Sequence, residues 1–242
     1  MTKLDTVQLG ADRLRIGPWR GDPRVAYIAP ATGRPPSVDA VTECVRLLRR
    51  QGYDRALTSA LTRAERTPFD EAGFGEHERL HLLRHDLYGL PARPPRRLRR
   101  GRWRDQPAVL AVDAAAFDPF WRFDARGLGE ARTATPVARF RVAELHRHLV
   151  GYAISGRAGT ISYLQRLAVH PDAQGSGLGY ALVVDALRWA HRRGAASMLV
   201  NTQERNGRAL DLYERVGFRR EANGLVVLAL DLVPAPTTPG AS

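Results

Sequence analysis

The stretch Leu167-Ala168-Val169-His170-Pro171-Asp172-Ala173-Gln174-Gly175-Ser176-Gly177-Leu178-Gly179-Tyr180 decides how this chain is read. Its apolar start reads as the end of a buried strand, and its glycines read as a tight turn. Residues 179–193 follow as a helix with Leu182, Val183, Ala186, Leu187 and Ala190 on its inner side. Glycines at 175, 177 and 179 let the backbone turn sharply and approach a ligand with no Cβ in the way. The N–H groups from Gly175 to Tyr180 and the positive end of the helix dipole then converge on one place, which suits phosphate. Gln174 adds a side-chain donor. Two familiar phosphate loops do not fit. A P-loop ends in Gly-Lys-Ser/Thr, but the only lysine is Lys3. A G-x-G-x-x-G/A dinucleotide loop meets Tyr180 or Leu182 where its last glycine belongs, and Val200, Asn201 and Thr202 stand where an acid would bind ribose.

Working outward, alternation and turn signals predict strands over 25–28, 56–58, 97–103, 137–142, 149–154, 160–169, 198–200 and 225–232, and helices over 38–51, 108–117 and 208–216. Pro91, Pro94 and Pro95 mark a domain junction, giving a first region 1–92 and a second domain 93–233. The Pro/Thr/Gly-rich residues 234–242 read as a disordered tail. A weak repeat links the two regions. Phe69-Asp70-Glu71-Ala72-Gly73-Phe74 parallels Tyr213-Glu214-Arg215-Val216-Gly217-Phe218, Gly52 parallels Gly194, and Asp86-Leu87 parallels Asp231-Leu232.

Composition excludes several classes. No apolar run approaches the ~18–20 residues that a membrane helix needs, the start lacks the apolar core of a signal peptide, and the single Cys44 forbids an internal disulfide; the expectation is a cytoplasmic monomer or homodimer. The net charge of +12 is almost wholly arginine. Arg93, Arg96, Arg97, Arg99, Arg100, Arg102 and Arg104 form a patch with two readings, a solvated linker and strand face or a contact for RNA, ribosome or an acidic cofactor. His77, His81 and His85 have a spacing that binds metal on a helix, but the repeat puts this segment in a strand and no metal is expected. Cys44 reads as core, His170 as a capping or solvated residue, and Phe120, Trp121 and Phe123 as an aromatic cluster that either packs in the core or walls the acceptor cleft.

Gln174-Gly175-Ser176-Gly177-Leu178-Gly179 resembles the Q/R-x-x-G-x-G/A loop of the GNAT superfamily, the acyl-CoA-dependent N-acyltransferases. Asn201 to Asn206, with Ala209, Leu212-Tyr213 and Gly217-Phe218, is similar to that family's N-x-x-A-x-x-L-Y-x-x-x-G-F segment. The resemblance covers about residues 95–233 and comes nearest to the ribosomal-protein N-terminal acetyltransferases. It implies an α/β (α+β) fold with a mixed, mostly antiparallel sheet splayed between its fourth and fifth strands, preceded by a degenerate half-copy. It also implies acetyl-CoA as co-substrate, no metal, and acetyl transfer to a primary amine of a small molecule or a protein N-terminus. Leu167, Ala168 and Val169 would pair with pantetheine; Gln174, Gly175, Ser176, Gly177, Leu178, Gly179 and Tyr180 would hold the pyrophosphate; Asn206 would touch the CoA arm; Tyr213 would protonate the departing thiolate. The chain departs from the family at its base: Tyr163 and Asn201 stand where relatives carry a glutamate, leaving Asn201 to hold a water. In the half-copy, Pro35 and Pro36 remove donors from the equivalent loop and Phe69 replaces the tyrosine, so no transfer is expected there. The rival class is a non-catalytic acetyl-CoA-binding or RNA-associated scaffold.

Overall fold

The computed structural model describes residues 4–32, 34–94 and 96–233, so the expected tail lies outside the described residues. The chain divides into two compact units, Met1–Leu80 with Asn223–Ser242, and His81–Ala222.

In the first unit, Asp5–Leu9 (β1), Asp12–Trp19 (β2) and Asp22–Pro30 (β3) form an antiparallel meander. Val38–Arg50 (α1) crosses to Arg55–Thr58 (β4), which runs parallel to β3, and Arg63–Glu71 (α2) leads into Gly75–His85 (β5). The chain's last strand, Leu225–Asp231 (β12), fills the slot between β4 and β5, antiparallel to both. The core is the apolar stripe of α1, with Val41, Cys44 and Leu48 fully buried against Leu14, Ile28 and Phe69. Burial pushes the Cys44 thiol up to about 12, which leaves it protonated and inert.

This division differs from a boundary at 92/93. The last strand, expected within a domain 93–233, pairs Ala229, Leu230 and Asp231 with Leu57, Ala56 and Arg55, and so belongs with the first unit.

In the second unit, residues 81–85 of β5 are joined by Leu98–Arg100 (β6), Val137–Leu145 (β7), His148–Ala158 (β8), Ile161–Val169 (β9), Ser197–Gln203 (β10) and Arg219–Arg220 (β11). Strand order is β5-β10-β9-β8-β7-β6, with β11 on β5. The ladders linking β6 through β9 are antiparallel, and β9–β10 is parallel. Leu178–Arg192 (α5) and Gly207–Val216 (α6) share one core cluster with Leu164, Met198 and Val200. Gln106–Ala116 (α3) and Ala125–Thr133 (α4) share another with Val142, Tyr152, Ile154 and Ala168. The sheet is therefore sandwiched by helices in an α/β arrangement.

The repeat recurs as local structure. Tyr53 donates to the Leu48 carbonyl as Ala195 does to Ala190, and Phe74 donates to Phe69 as Phe218 does to Tyr213. The helix stops Gly52 and Gly194 have φ of +83° and +72°, and Gly73 and Gly217 have +91° and +105°. In each unit the slot beside the strand that follows the second stop is filled from the other part of the sequence, by β12 in one and by 81–85 in the other.

His85 shows how tightly the second unit holds the end of α6. Its Nδ1 accepts from the Leu87 N–H at 2.9 Å, so the ring proton sits on Nε2. A Cβ at Gly217 would lie 3.0 Å from that Nε2, so glycine is needed there for space as well as for its φ. Burial lowers the His85 pKa and Arg219 lowers it further, while Asp86 and the Val216 carbonyl oppose this. The neutral ring is the folded form. Its contribution to stability is complete above the ordinary imidazole value of ~6.5 and is lost as pH falls below that value toward the lowered value of the folded ring. The melting temperature of the wild type should fall from pH 7.5 to 5.5, and His85→Gln should flatten that slope; an unchanged slope would remove His85 from the pH response.

Candidate active site

The site begins with one extra residue. Ile154 pairs with Arg166 and Ser155 with Leu164, which leaves Gln165 as a bulge in β9. The bulge resets the alternation, so Leu164, Leu167 and Val169 face α5 while Ala168 joins the cluster beneath α3. It also accompanies an opening of the sheet. β9 and β10 pair only from Ile161–Tyr163 to Ser197–Leu199. Beyond that point Leu167, Ala168 and Val169 pair with β8 on one side only.

The loop after β9 lies at this opening. His170 Nδ1 accepts from the Asp172 N–H at 3.4 Å and so caps the turn Pro171–Ala173. Gly175 and Gly177 adopt φ of +78° and +81°, and α5 starts at Leu178. Among the described residues, the N–H groups from Gly175 to Tyr180 have no acceptor within the protein; the first helical bond comes from Ala181 to Gly177. Gln174 shapes the loop: its Nε2 donates to the Val169 carbonyl at 3.1 Å and its Oε1 accepts from Arg208. Ser176 Oγ donates to the Ala173 carbonyl at 2.5 Å. A Cβ at Gly179 would meet Leu212 Cδ2 at 3.3 Å and Val169 Cγ2 at 3.8 Å, so a bare glycine lets strand end, loop and α6 converge.

On α6, Asn206 Oδ1 accepts from the Ala209 N–H at 3.1 Å, making Asn206 the N-cap. Tyr213 is buried with its ring centroid 5.7 Å from that of Phe218. Burial raises its phenol pKa, and the charge of Arg166 pulls the other way. Asn201 is exposed on the open part of β10, while Tyr163 is half-buried at the last paired position of β9.

Sequence reasoning missed a buried network on the other side of β9. Asp113 of α3, fully buried, accepts from Arg166 Nε and Nη2, both at 2.8 Å, and from the Tyr152 hydroxyl. Burial raises the Tyr152 pKa, so it stays the donor. The Arg166 guanidinium lies 3.4 Å from the Phe117 ring centroid and 4.1 Å from that of Phe123, and also donates to the Trp121 carbonyl at 2.7 Å. The expected aromatic cluster is thus pinned to the strand. Asp118, beside it, pairs with Arg205 at 3.2 Å, which links it to the turn after β10. The signal that could have revealed the network was a lone acid in an otherwise apolar helix, Val109-Leu110-Ala111-Val112-Asp113-Ala114.

The arginine run separates into distinct tasks. Arg99 pairs with Asp105 and Glu144, and Arg93 joins Arg139 and Arg141 around Asp185 of α5. Among the described residues there is no cluster of groups placed to hold a metal, and no helix is long and apolar enough to cross a membrane.

A family model described as the acetyltransferase (GNAT) family matches residues 98–218, half of the chain. Mycothiol acetyltransferase of Saccharomonospora viridis is 33% identical over 131 residues, covering 47% of this chain and 42% of that protein. Mycothiol acetyltransferase of Frankia alni is 30% identical over 212 residues, covering 70% and 64% respectively. The chain thus spans 42% to 64% of the length of these relatives. A GCN5-related N-acetyltransferase from Kribbella flavida shares the fold with a TM-score of 0.65 at 15% identity, over 98% of this chain and 90% of that one.

Removing one partner of the Asp113–Arg166 pair leaves a buried charge alone. Arg166→Met should cost about 3–5 kcal/mol in urea unfolding, and Asp113→Leu in the same background should recover part of that loss. A double variant no more stable than the single one would mean that the pair is not the dominant interaction.

Proposed function

The chain belongs to the acetyltransferase (GNAT) family, and on that premise we propose that it transfers an acetyl group from acetyl-CoA to a primary amine by direct attack in a ternary complex. The observation that carries this reading is the convergence at one opening of unsatisfied N–H groups from Gly175 to Tyr180 and the one-sided edge at Leu167 to Val169, with Tyr213 buried in the adjoining core cluster. The N–H groups and the dipole of α5 would hold the diphosphate. The strand edge would pair with the amides of pantetheine, as an added strand does.

The neutral amine attacks the thioester carbonyl, the C–S bond breaks, and Tyr213 gives its proton to the leaving thiolate. A water beside the exposed Asn201 carries away the proton lost by the amine. The relatives are named for mycothiol, which favours a small-molecule acceptor over a protein N-terminus. The aromatic residues 117–123 pinned by Arg166 form the acceptor wall. The reaction runs in the cytoplasm and only in the second unit. In the first, the helix-start position is filled internally: Asp12 accepts from both the N–H and the hydroxyl of Ser37, which caps α1. Those bonds lower the Asp12 pKa, so a carboxylate sits where a phosphate would go.

Acetyl-CoA should raise the melting temperature of the wild type, and Gly177→Asp, which adds a charge and a strained φ, should abolish the rise; the absence of any wild-type shift would sink this function. Tyr213→Phe should slow release of free CoA with an amine acceptor by about a hundredfold or more while keeping the thermal shift. Turnover equal to wild type would take Tyr213 out of the mechanism.

A further inference from the structure

The segment leading into β6 brings a cation, Arg96, to the glycine loop. A Cβ built on Gly177 would lie 3.9 Å from both Nε and Nη2 of Arg96. Those two nitrogens form the edge of a guanidinium that grips an oxyanion with two parallel hydrogen bonds. The edge faces the left-handed glycine whose neighbours from Gly175 to Tyr180 carry N–H groups with no acceptor among the described residues. Two other arginines of the run are engaged elsewhere: Arg99 is held by Asp105 and Glu144, and Arg93 leans on Asp185. Arg96 is exposed and has no carboxylate partner among the described residues. Arg208 donates to Gln174 at the start of the loop.

We infer that Arg96 is a cofactor-binding residue, closing over Gly177 to grip the diphosphate of acetyl-CoA through its Nε and Nη2 edge; this rests on the function proposed above. The glycine loop contributes neutral donors and a partial positive charge from the helix, whereas the diphosphate carries full negative charges. Arg96 provides the matching full charge. A phosphate group bound there would also tie the segment before β6 to the start of α5, because one anion would bridge Arg96 and the loop.

Thermal-shift titration of the full chain with acetyl-CoA and with S-acetylpantetheine tests this, since the second ligand keeps the thioester arm and lacks the phosphates. Arg96→Ala should weaken acetyl-CoA roughly ten- to hundredfold, leave S-acetylpantetheine unchanged, and make acetyl-CoA affinity less sensitive to salt. Arg96→Lys should restore only part of the loss, because an ammonium lacks the two-pronged edge. Arg104→Ala, which removes the same charge elsewhere in the run, should bind as wild type does. Acetyl-CoA affinity unchanged in Arg96→Ala overturns the assignment, and so does an equal loss for both ligands, which would reflect general damage to the cleft. The wild-type titration separates the two levels: no binding of acetyl-CoA by the wild type overturns the proposed function together with the role of Arg96.

Discussion

The parallel pairing of β9 and β10 stops after Tyr163 and Leu199, and the chemistry available to the second unit follows from that stop. Backbone N–H and C=O groups need partners. Past the stop, Leu167 to Val169 keep their ladder with β8 and lose one on the other side. Closing the sheet would satisfy those groups internally and leave no room for a ligand. Keeping it open requires water at the edge, or a molecule that carries its own amides. The bulge at Gln165 lets β9 bend away while Leu164 and Leu167 both stay in the α5 core. Gly179 then allows the strand end, the loop and Leu212 to meet. The opening and the glycine loop beside it both follow from one interrupted ladder.

The two units show what separates a scaffold from a site. Both use a helix that ends at a left-handed glycine, a strand parallel to its neighbour, and a second short helix closed by Gly-Phe. They part at the helix start. Before α5 the N–H groups are unspent, whereas before α1 the Asp12 carboxylate takes the Ser37 N–H and two prolines offer none. The packing tyrosine of one unit is a phenylalanine, Phe69, in the other, and both rings lie on the phenylalanine that follows the glycine stop. The hydroxyl is thus dispensable for packing.

Much of this was legible in the sequence because it is encoded at short range. Glycines at fixed offsets, the apolar face of α5 and the turn from Asn206 to Phe218 each announce a local geometry, and the half-copy follows from their repetition. What was not legible depends on distant partners. Nothing in Leu225–Asp231 says that it pairs with β4 and not with the strand nearest in sequence. Arg166 and Asp113 are unremarkable until the fold buries them together. Arg96 was visible only as one member of a charged run. β2 and α4 were missed for local reasons. Gly17-Pro18 interrupts the alternation of β2, and Gly127 and Gly129 lower the helical tendency of α4, which is held by the Asp124 cap on Gly127 at 2.6 Å.

The buried charge of Arg166 has a second consequence for the proposed reaction. An ordinary phenol near ~10 is a weaker acid than a thiol near ~8.5, so proton transfer to a thiolate in water is uphill by about 2 kcal/mol. Burial of Tyr213 raises its pKa further and, taken alone, makes it a worse donor. The thiolate, however, would form in the same opening and lose water as well. Desolvation penalises both anions and largely cancels in the difference between them. What does not cancel is a fixed charge nearer one anion than the other. Arg166 lowers the Tyr213 pKa, and it is held in place by Asp113, two aromatic rings and the Trp121 carbonyl. A cation that cannot swing out to solvent keeps its effect through the catalytic cycle. In the proposed reaction, the network that holds residues 117–123 would thus also oppose, through the charge of Arg166, part of the rise that burial imposes on Tyr213.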